Sequence, residues 1–540
     1  MAALINRDLK PSARAKFARD EAGNLTILSL FLFVLMVMMG GVAMDLMKRE
    51  NIRIQLSQTI DRCALMAASL DQRLDPQSVV EDCVEKAGLG DKITAINVTD
   101  TINSRDVQIS ASADANPFFM HMIGIDQMVV PAHTRAMQKI TNLELSLVLD
   151  VSGSMAGAKL TNLKAAASDF VETILENDTD NRTAIALVPY NGQVNLGAAL
   201  RGRFNVQDNH GVANVNCIDL PAVVYNSGAM SQALPMPMTA HVDSFSNTDT
   251  GNYYTNFGSG WATPDARNRW CPPTTANVVR MPNNDIDTLQ AQINGLAAVG
   301  ATSINAGMKW GLTLLDPASR TMFNQMAAQN AMNNDFADRP YAYDDNETMK
   351  VIVLMTDGEH FAEERINDGF RTGNAPIWRA NGTGEYSILH PTRPGPNKHY
   401  VPHLNAWRAT PFTSGSGVTR QRWQDVWANQ RVTWVAWQLY ARALGTNDTT
   451  RAAQFTTAMD MIRTKTPTPS MDTQLQQACT LAKDNDVIVF GIAFEAPANG
   501  RTQIEQCASS RQHYFDAQGL SIATAFETIA NNLTMLKLTQ

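Results

Sequence analysis

Hydrophobic and polar positions alternate in three different ways along this chain, and each way predicts a different kind of structure. From Ala22 to Met44 there are 23 residues without a charge, interrupted only by Asn24, Thr26 and Ser29 among the polar types. At about 1.5 Å per residue such a helix is roughly 35 Å long, enough to cross a bilayer. Met47 to Leu70 follows without Gly or Pro, and Ile52, Ile54, Leu56, Ile60, Leu65 and Met66 are interspersed among charges and amides. This stretch predicts a helix that emerges from the apolar segment. Pro76–Gly88 reads as a short helix, while Ile93–Val98 and Val107–Ala113 alternate as strands, giving a small α/β unit that ends near Gln138.

Beyond that point the pattern becomes one of continuous apolar runs. Leu143–Leu149, Val351–Met355 and Val487–Ala493 are uninterrupted, as expected of parallel strands buried on both faces, and Thr183–Val188 is a further candidate. Helical spacing lies between them: Leu160, Leu163, Ala167, Phe170 and Ile174 within Lys159–Leu175, then Asp285–Leu296, Met308 to Leu315, and Met471–Ala482. The alternation predicts an α/β fold with a doubly wound, mostly parallel sheet. The resulting division is a tail over 1–21, a transmembrane helix over 22–46, a stalk helix and small α/β unit over 47–140, and a large domain over 141–540.

Two long insertions interrupt the large domain, at about 204–281 and 361–469. The first is rich in Asn, Gly, Thr and aromatic residues. The second holds Trp378, Trp407, Trp423, Trp427, Trp434 and Trp437, six of the nine tryptophans, and the last four stand at helix-compatible intervals as one stripe, expected to be a core face.

At 540 residues the chain exceeds the size at which a single core usually divides. Its formal net charge of −8 and the lack of a basic stripe argue against nucleic acid as a partner. The six cysteines fall as separated couples, Cys63 with Cys83, Cys217 with Cys271 and Cys479 with Cys507, with no C-x-x-C spacing and no histidine cluster beside them. Disulfides in an oxidising compartment are the simpler expectation, although about fifteen pairings remain open. Basic residues flank the apolar segment on both sides, with Arg7, Lys10, Arg14, Lys16 and Arg19 before it and Lys48, Arg49, Arg53 and Arg62 after. All cysteines lie beyond the apolar segment, so the expected arrangement has the tail in the cytoplasm and the bulk outside. Gly40-Gly41-Val42-Ala43 has the small residues of a signal cleavage site, but the apolar run is long for a signal, and a retained anchor is expected.

Candidate chemistry sits at the ends of the apolar runs. Asp150-Val151-Ser152-Gly153-Ser154 follows Leu143–Leu149, Gly300-Ala301-Thr302 precedes a helical pattern, and Thr356-Asp357-Gly358 ends Val351–Met355. Carboxylates and hydroxyls without thiol or imidazole suit a hard divalent cation. In this order the three segments resemble a von Willebrand factor type A domain. The resemblance implies a metal ion-dependent adhesion site at Asp150, Ser152, Ser154, Thr302 and Asp357. It further implies Mg²⁺, with Mn²⁺ or Ca²⁺ as alternatives, and an open coordination position filled by a partner's Asp or Glu. Ala301 stands where many members have a second glycine.

Phe17-Ala18-Arg19-Asp20-Glu21-Ala22-Gly23 before the anchor, Gln55–Ala68 after it, and Tyr514-Phe515-Asp516-Ala517 with the helix Ile522–Leu536 resemble the TadG-like proteins of tight-adherence (Flp) pilus assembly. The small unit is then pilin-like. The fifth position beyond Gly23 is Leu28 where a processed prepilin has glutamate, so an accessory role is expected. The implied protein is a single-pass inner-membrane component with its bulk in the periplasm or at the cell surface, bound to pilus or secretion-machinery partners. A surface adhesin independent of pili is the alternative.

Enzymatic motifs are absent. Val151-Ser152-Gly153-Ser154-Met155 does not match G-x-S-x-G, and His360-Phe361-Ala362-Glu363-Glu364 lacks the second histidine of an inverted zinc-protease motif and reads as a solvated helix start. Neither a phosphate-binding nor a dinucleotide-binding glycine motif follows the first strand, and no enzyme activity is expected.

Overall fold

The computed structural model describes residues 22–69, 74–100, 104–139, 142–176, 178, 181–244, 263–345 and 347–539. Residues 1–21, the expected tail, lie outside them. The chain divides into two compact units, 1–140 with 537–540, and 141–536.

In the first unit the apolar segment and the stalk are one unbroken helix, Ala22–Ala68. Its most apolar window has a mean hydropathy of 2.5 and is almost entirely exposed, so it is long and apolar enough to cross a membrane. The far half turns Leu56, Ile60, Cys63, Ala64 and Ala67 onto a three-stranded antiparallel meander of Ile93–Asp100, Ser104–Ala115 and Met128–Lys139. The third strand buries Val130, Ala132 and Ala136 and exposes Pro131, His133 and Arg135 between them. The helix Pro76–Lys86 starts on Pro76, its Asp75 cap accepts from the Ser78 amide at 2.9 Å, and Cys63–Cys83 ties it to the long helix.

The second unit is built on a six-stranded sheet. In space the strands run Tyr514–Ala517, Ile488–Phe494, Thr348–Thr356, Asn142–Asp150, Thr183–Tyr190 and Arg280–Asn283. Every neighbouring pair is parallel except the last. Numbered along the chain this is the 3-2-1-4-5-6 order of doubly wound sheets, whose direction of winding reverses between Asn142–Asp150 and Thr348–Thr356.

The continuous apolar runs follow from this topology, because both faces are covered. Val148, Val188 and Leu354 point to the helices Ile304–Thr313, Thr468–Asp484 and Ala498–Cys507. Leu147, Leu149, Leu187 and Val353 point to Ala158–Leu175, Ile286–Gly295 and Ser521–Thr539 on the other side. The disulfide Cys479–Cys507 joins two of the covering helices, and Cys217–Cys271 closes the first insertion.

The second insertion makes its own antiparallel sheet of five strands, Ala406–Arg408, His399–Val401, Tyr386–Leu389, Asn374–Ala380 and Val418–Arg422 in spatial order. Trp423, Trp427 and Trp434 are buried in its core and Trp437 packs against it, as a core face requires. They do not share one helix. Trp423–Asn429 ends where Gln430 turns extended, and the chain resumes as helix at Val432. Trp423 and Trp427 stack with centroids 5.1 Å apart, while Trp434 meets Tyr386 edge-on at 5.6 Å.

The expected solvated helix start at His360–Glu364 is corrected outright. Glu363–Ile366 is a buried strand paired antiparallel with Arg463–Thr466. Its carboxylates are tolerated because Glu363 pairs with Arg365 and Glu364 with Arg463.

Candidate metal-binding site

Asp150 is the last residue of its strand and is fully buried. Its Oδ1 accepts from the Ser152 amide at 2.8 Å, and its Oδ2 accepts from Thr356 Oγ1, on the adjacent strand end, at 2.7 Å. Ser152 Oγ and Ser154 Oγ are 3.0 Å apart, and Ser154 Oγ donates to Asp357 Oδ1 at 2.7 Å. Hydrogen bonds through the Ser152 amide and the hydroxyls of Ser152, Ser154 and Thr356 therefore link the two strands that flank the switch point, where open α/β sheets bind ligands.

Backbone bonds tie the third loop to the first. Val299 N donates to Val151 O and Gly153 N to Gly300 O, both at 2.9 Å. Gly300 holds φ +89°, a left-handed conformation that suits glycine. Thr302 is buried just before the Ile304–Thr313 helix, and its hydroxyl faces Gly358: a Cβ on that glycine would lie 3.6 Å from Thr302 Oγ1. Thr302 O also accepts from Phe361 N at 2.9 Å, which fastens the Asp357 loop to the helix start. Behind that loop, a Cβ on Gly500 would lie 2.1 Å from Gly358 O, so only glycine lets the Ala498–Cys507 helix come this close.

Burial, and next the charge of Asp357, push the Asp150 carboxyl up to about 7. Two buried carboxylates in one cluster call for a compensating cation. Lys159, in the first turn of Ala158–Leu175, partly answers that need, with Nζ donating to Asp357 Oδ2 at 2.9 Å and standing 3.7 Å from Glu495 Oε2.

The donor set fits a hard cation: two carboxylates and three hydroxyls, all oxygen, at converging loops. Among the described residues no group of three or more His, Cys, Asp or Glu could hold a metal, so hydroxyls have to supply the remaining ligands.

Residues outside the sequence-derived set also shape the site. Lys159 was passed over, although it lies only five positions beyond Ser154. Thr356, within Thr356-Asp357-Gly358, joins the cluster through the hydroxyl that it donates to Asp150. His360 Nε2 accepts from Asn305 N at 3.0 Å, which leaves Nδ1–H to donate to Asp472 Oδ1 at 2.7 Å. This imidazole pins the start of the Ile304–Thr313 helix to the helix that carries Asp472, a contact spanning 112 positions that local spacing does not reveal.

A doubly wound sheet whose switch point bears Asp-x-Ser-x-Ser, Gly-x-Thr and Thr-Asp-Gly has the architecture of a von Willebrand factor type A domain. At the other end of the chain, residues 23–70 match the family model described as putative Flp pilus-assembly TadE/G-like, so the protein carries a TadE/G-like segment at its N terminus. Similar solved structures include the von Willebrand factor domain of the type V pili tip protein Mfa5 from Porphyromonas gingivalis, at 13% identity over 74% of this chain and 97% of that one, with a TM-score of 0.31. The pilus adhesin SpaC from Lactobacillus rhamnosus GG is 11% identical over 82% of this chain and 33% of its own, with a TM-score of 0.29. Proximal thread matrix protein 1 from the mussel byssus, with a zinc-occupied MIDAS motif, is 10% identical over 73% of this chain and 48% of its own, with a TM-score of 0.26. No match emerges among curated proteins.

Proposed function

We propose that this protein is a membrane-anchored, envelope-exposed component of pilus assembly or anchoring, and that its type A domain grips a protein partner through a divalent metal. Asp150, Ser152, Ser154, Thr302 and Asp357 would hold the ion, Mg²⁺ by preference. The observation that supports the reading is the hydrogen-bonded cluster of Asp150, Ser152, Ser154 and Asp357 at the switch point, in a protein with a TadE/G-like segment at residues 23–70. When bound, the metal supplies a position for a partner's carboxylate; the protein's own residues orient it and no covalent chemistry is assigned to them. The helix Ala22–Ala68 anchors the chain with its N terminus in the cytoplasm, and the three disulfides fit an exported, oxidising location.

The test is calorimetry with Mg²⁺ and Mn²⁺ on the full chain in detergent, wild type beside Asp150→Ala/Asp357→Ala. Binding heat in the wild type that vanishes in the double variant is expected. A folded wild type that takes up neither ion sinks the metal reading. Deleting the gene and imaging the cell surface then separates two roles. Loss of filaments supports assembly, whereas intact filaments with lost attachment support an adhesin.

A further inference from the structure

The turn that follows the second strand of the small sheet exposes side chains that water does not favour. In Phe118-Phe119-Met120-His121-Met122-Ile123-Gly124-Ile125, Phe118 is 77% exposed, Met122 73%, Ile123 52% and Ile125 38%. A contiguous apolar patch of this kind on a soluble surface marks a contact site.

Its position is fixed by the anchor helix. Both Asp45 carboxylate oxygens accept backbone amides of the turn, from Phe118 N at 2.9 Å, Phe119 N at 2.7 Å and Met120 N at 2.8 Å. Lys48 Nζ donates to Asn116 O at 3.0 Å and stands 4.9 Å from the Phe118 ring centroid. The Phe119 ring lies against Gly41, where an added Cβ would come within 2.2 Å of it. Gly41 is three residues, about 4.5 Å, inside the charge-free stretch that ends at Met44. The turn is thus clamped at the level where the apolar span gives way to charge, and one of its rings reaches past that level.

We propose that Phe118–Ile125 is a second membrane contact, seated in the interfacial layer of the leaflet from which the helix emerges. This rests on the reading of Ala22–Met44 as membrane-spanning. The occupant of the patch is lipid, because the Phe119 ring packs on Gly41, inside the charge-free and almost entirely exposed part of the helix, and so brings the turn to the edge of the apolar span. Asp45 is an acceptable residue at that depth because its charge is met by three amides and by the neighbouring lysine. Lys48 can extend its ammonium toward the headgroups. Two attachments, the helix and the turn, hold the small sheet in one orientation to the membrane, where a helix alone would let it tilt.

All six cysteines are in disulfides, so one added cysteine gives a single labelling position. The full chain is placed in phosphatidylcholine vesicles with an NBD fluorophore at Met122→Cys, at Leu32→Cys within the span, or at Met137→Cys. Met137 is on the Met128–Lys139 strand, nine residues or about 30 Å from its membrane end. Labels at 122 and 32 are expected to emit at shorter wavelength than the label at 137, and to be quenched by doxyl-labelled lipid more than by aqueous iodide. A label at 122 that behaves like the one at 137, while that at 32 remains in lipid, overturns the second contact alone. Water-like emission at both 32 and 122 overturns the anchor reading beneath it.

Discussion

On the small sheet, Val107, Ile109, Ala111 and Ala113 are buried against the long helix while Gln108 between them and Asp114 just beyond reach solvent. On the large sheet neither face reaches solvent: Leu147 and Val148 are adjacent and both fully buried, one beneath each layer of helices. A sheet covered on one side has half the apolar area per strand with which to offset its chain entropy, so the small unit depends more on its covalent staple and the large unit more on its core. All nine tryptophans lie at or beyond residue 261. Tryptophan fluorescence therefore follows the large unit alone, and the contrast can be tested one unit at a time.

The largest effect is expected from Cys63→Ala/Cys83→Ala. Opening a bridge between residues 20 positions apart should cost the small unit about 3 kcal/mol. Amide exchange across Ser104–Ala115 should accelerate while the fluorescence-detected melt stays where it is. A matching shift in fluorescence would show that the two units unfold together, and the contrast would collapse.

An intermediate effect should come from mild acid acting on the large unit. His210 and His241 lie with ring centroids 6.0 Å apart in the first insertion. Burial, then the charge of Arg269, then His210 hold His241 down to about 3, and burial lowers His210 as well. Between the ordinary histidine value of 6.5 and about 3 the unfolded chain binds protons that the folded one refuses. Stability is therefore complete above pH 6.5 and falls as the pH drops through that window. Urea midpoints by tryptophan fluorescence from pH 7 to 4 should show the loss, and His210→Phe/His241→Phe should flatten it. The smallest effect belongs to Asp106→Ala on the solvent-facing side of the small sheet. It removes a 2.9 Å ion pair with the exposed Arg135 and should change the stability of that unit by about 0.5 kcal/mol, read by chemical denaturation of the isolated transition.

The same difference between the sheets explains what was legible in the chain. Runs such as Leu143–Leu149 and Val351–Met355 announce strands buried on both sides, and loop residues at their ends announced the oxygen cluster, since these signals are local. The strand Met128–Lys139 is harder to read, because Pro131 interrupts it and its buried face offers only Val130, Ala132 and Ala136. Glu363 and Glu364 misled for a different reason. A carboxylate reads as solvated unless its partner is known, and Arg463 is 99 positions from Glu364. The tryptophan stripe is a core face as expected, but helix-compatible spacing across Trp427 to Trp434 does not register the extended Gln430 between them. At the site, Lys159 reaches Asp357 across 198 positions, a pairing set by the crossover topology.

The outermost strands of the large sheet have a consequence for how this protein can join an assembly. Arg280–Asn283 and Tyr514–Ala517 are four residues each, and the first contains Pro282, which has no amide hydrogen to offer. Rims this short give an incoming β-strand little to zip onto, so polymerisation by strand donation finds no template here. An incoming strand therefore gains few backbone hydrogen bonds at either edge of the large sheet.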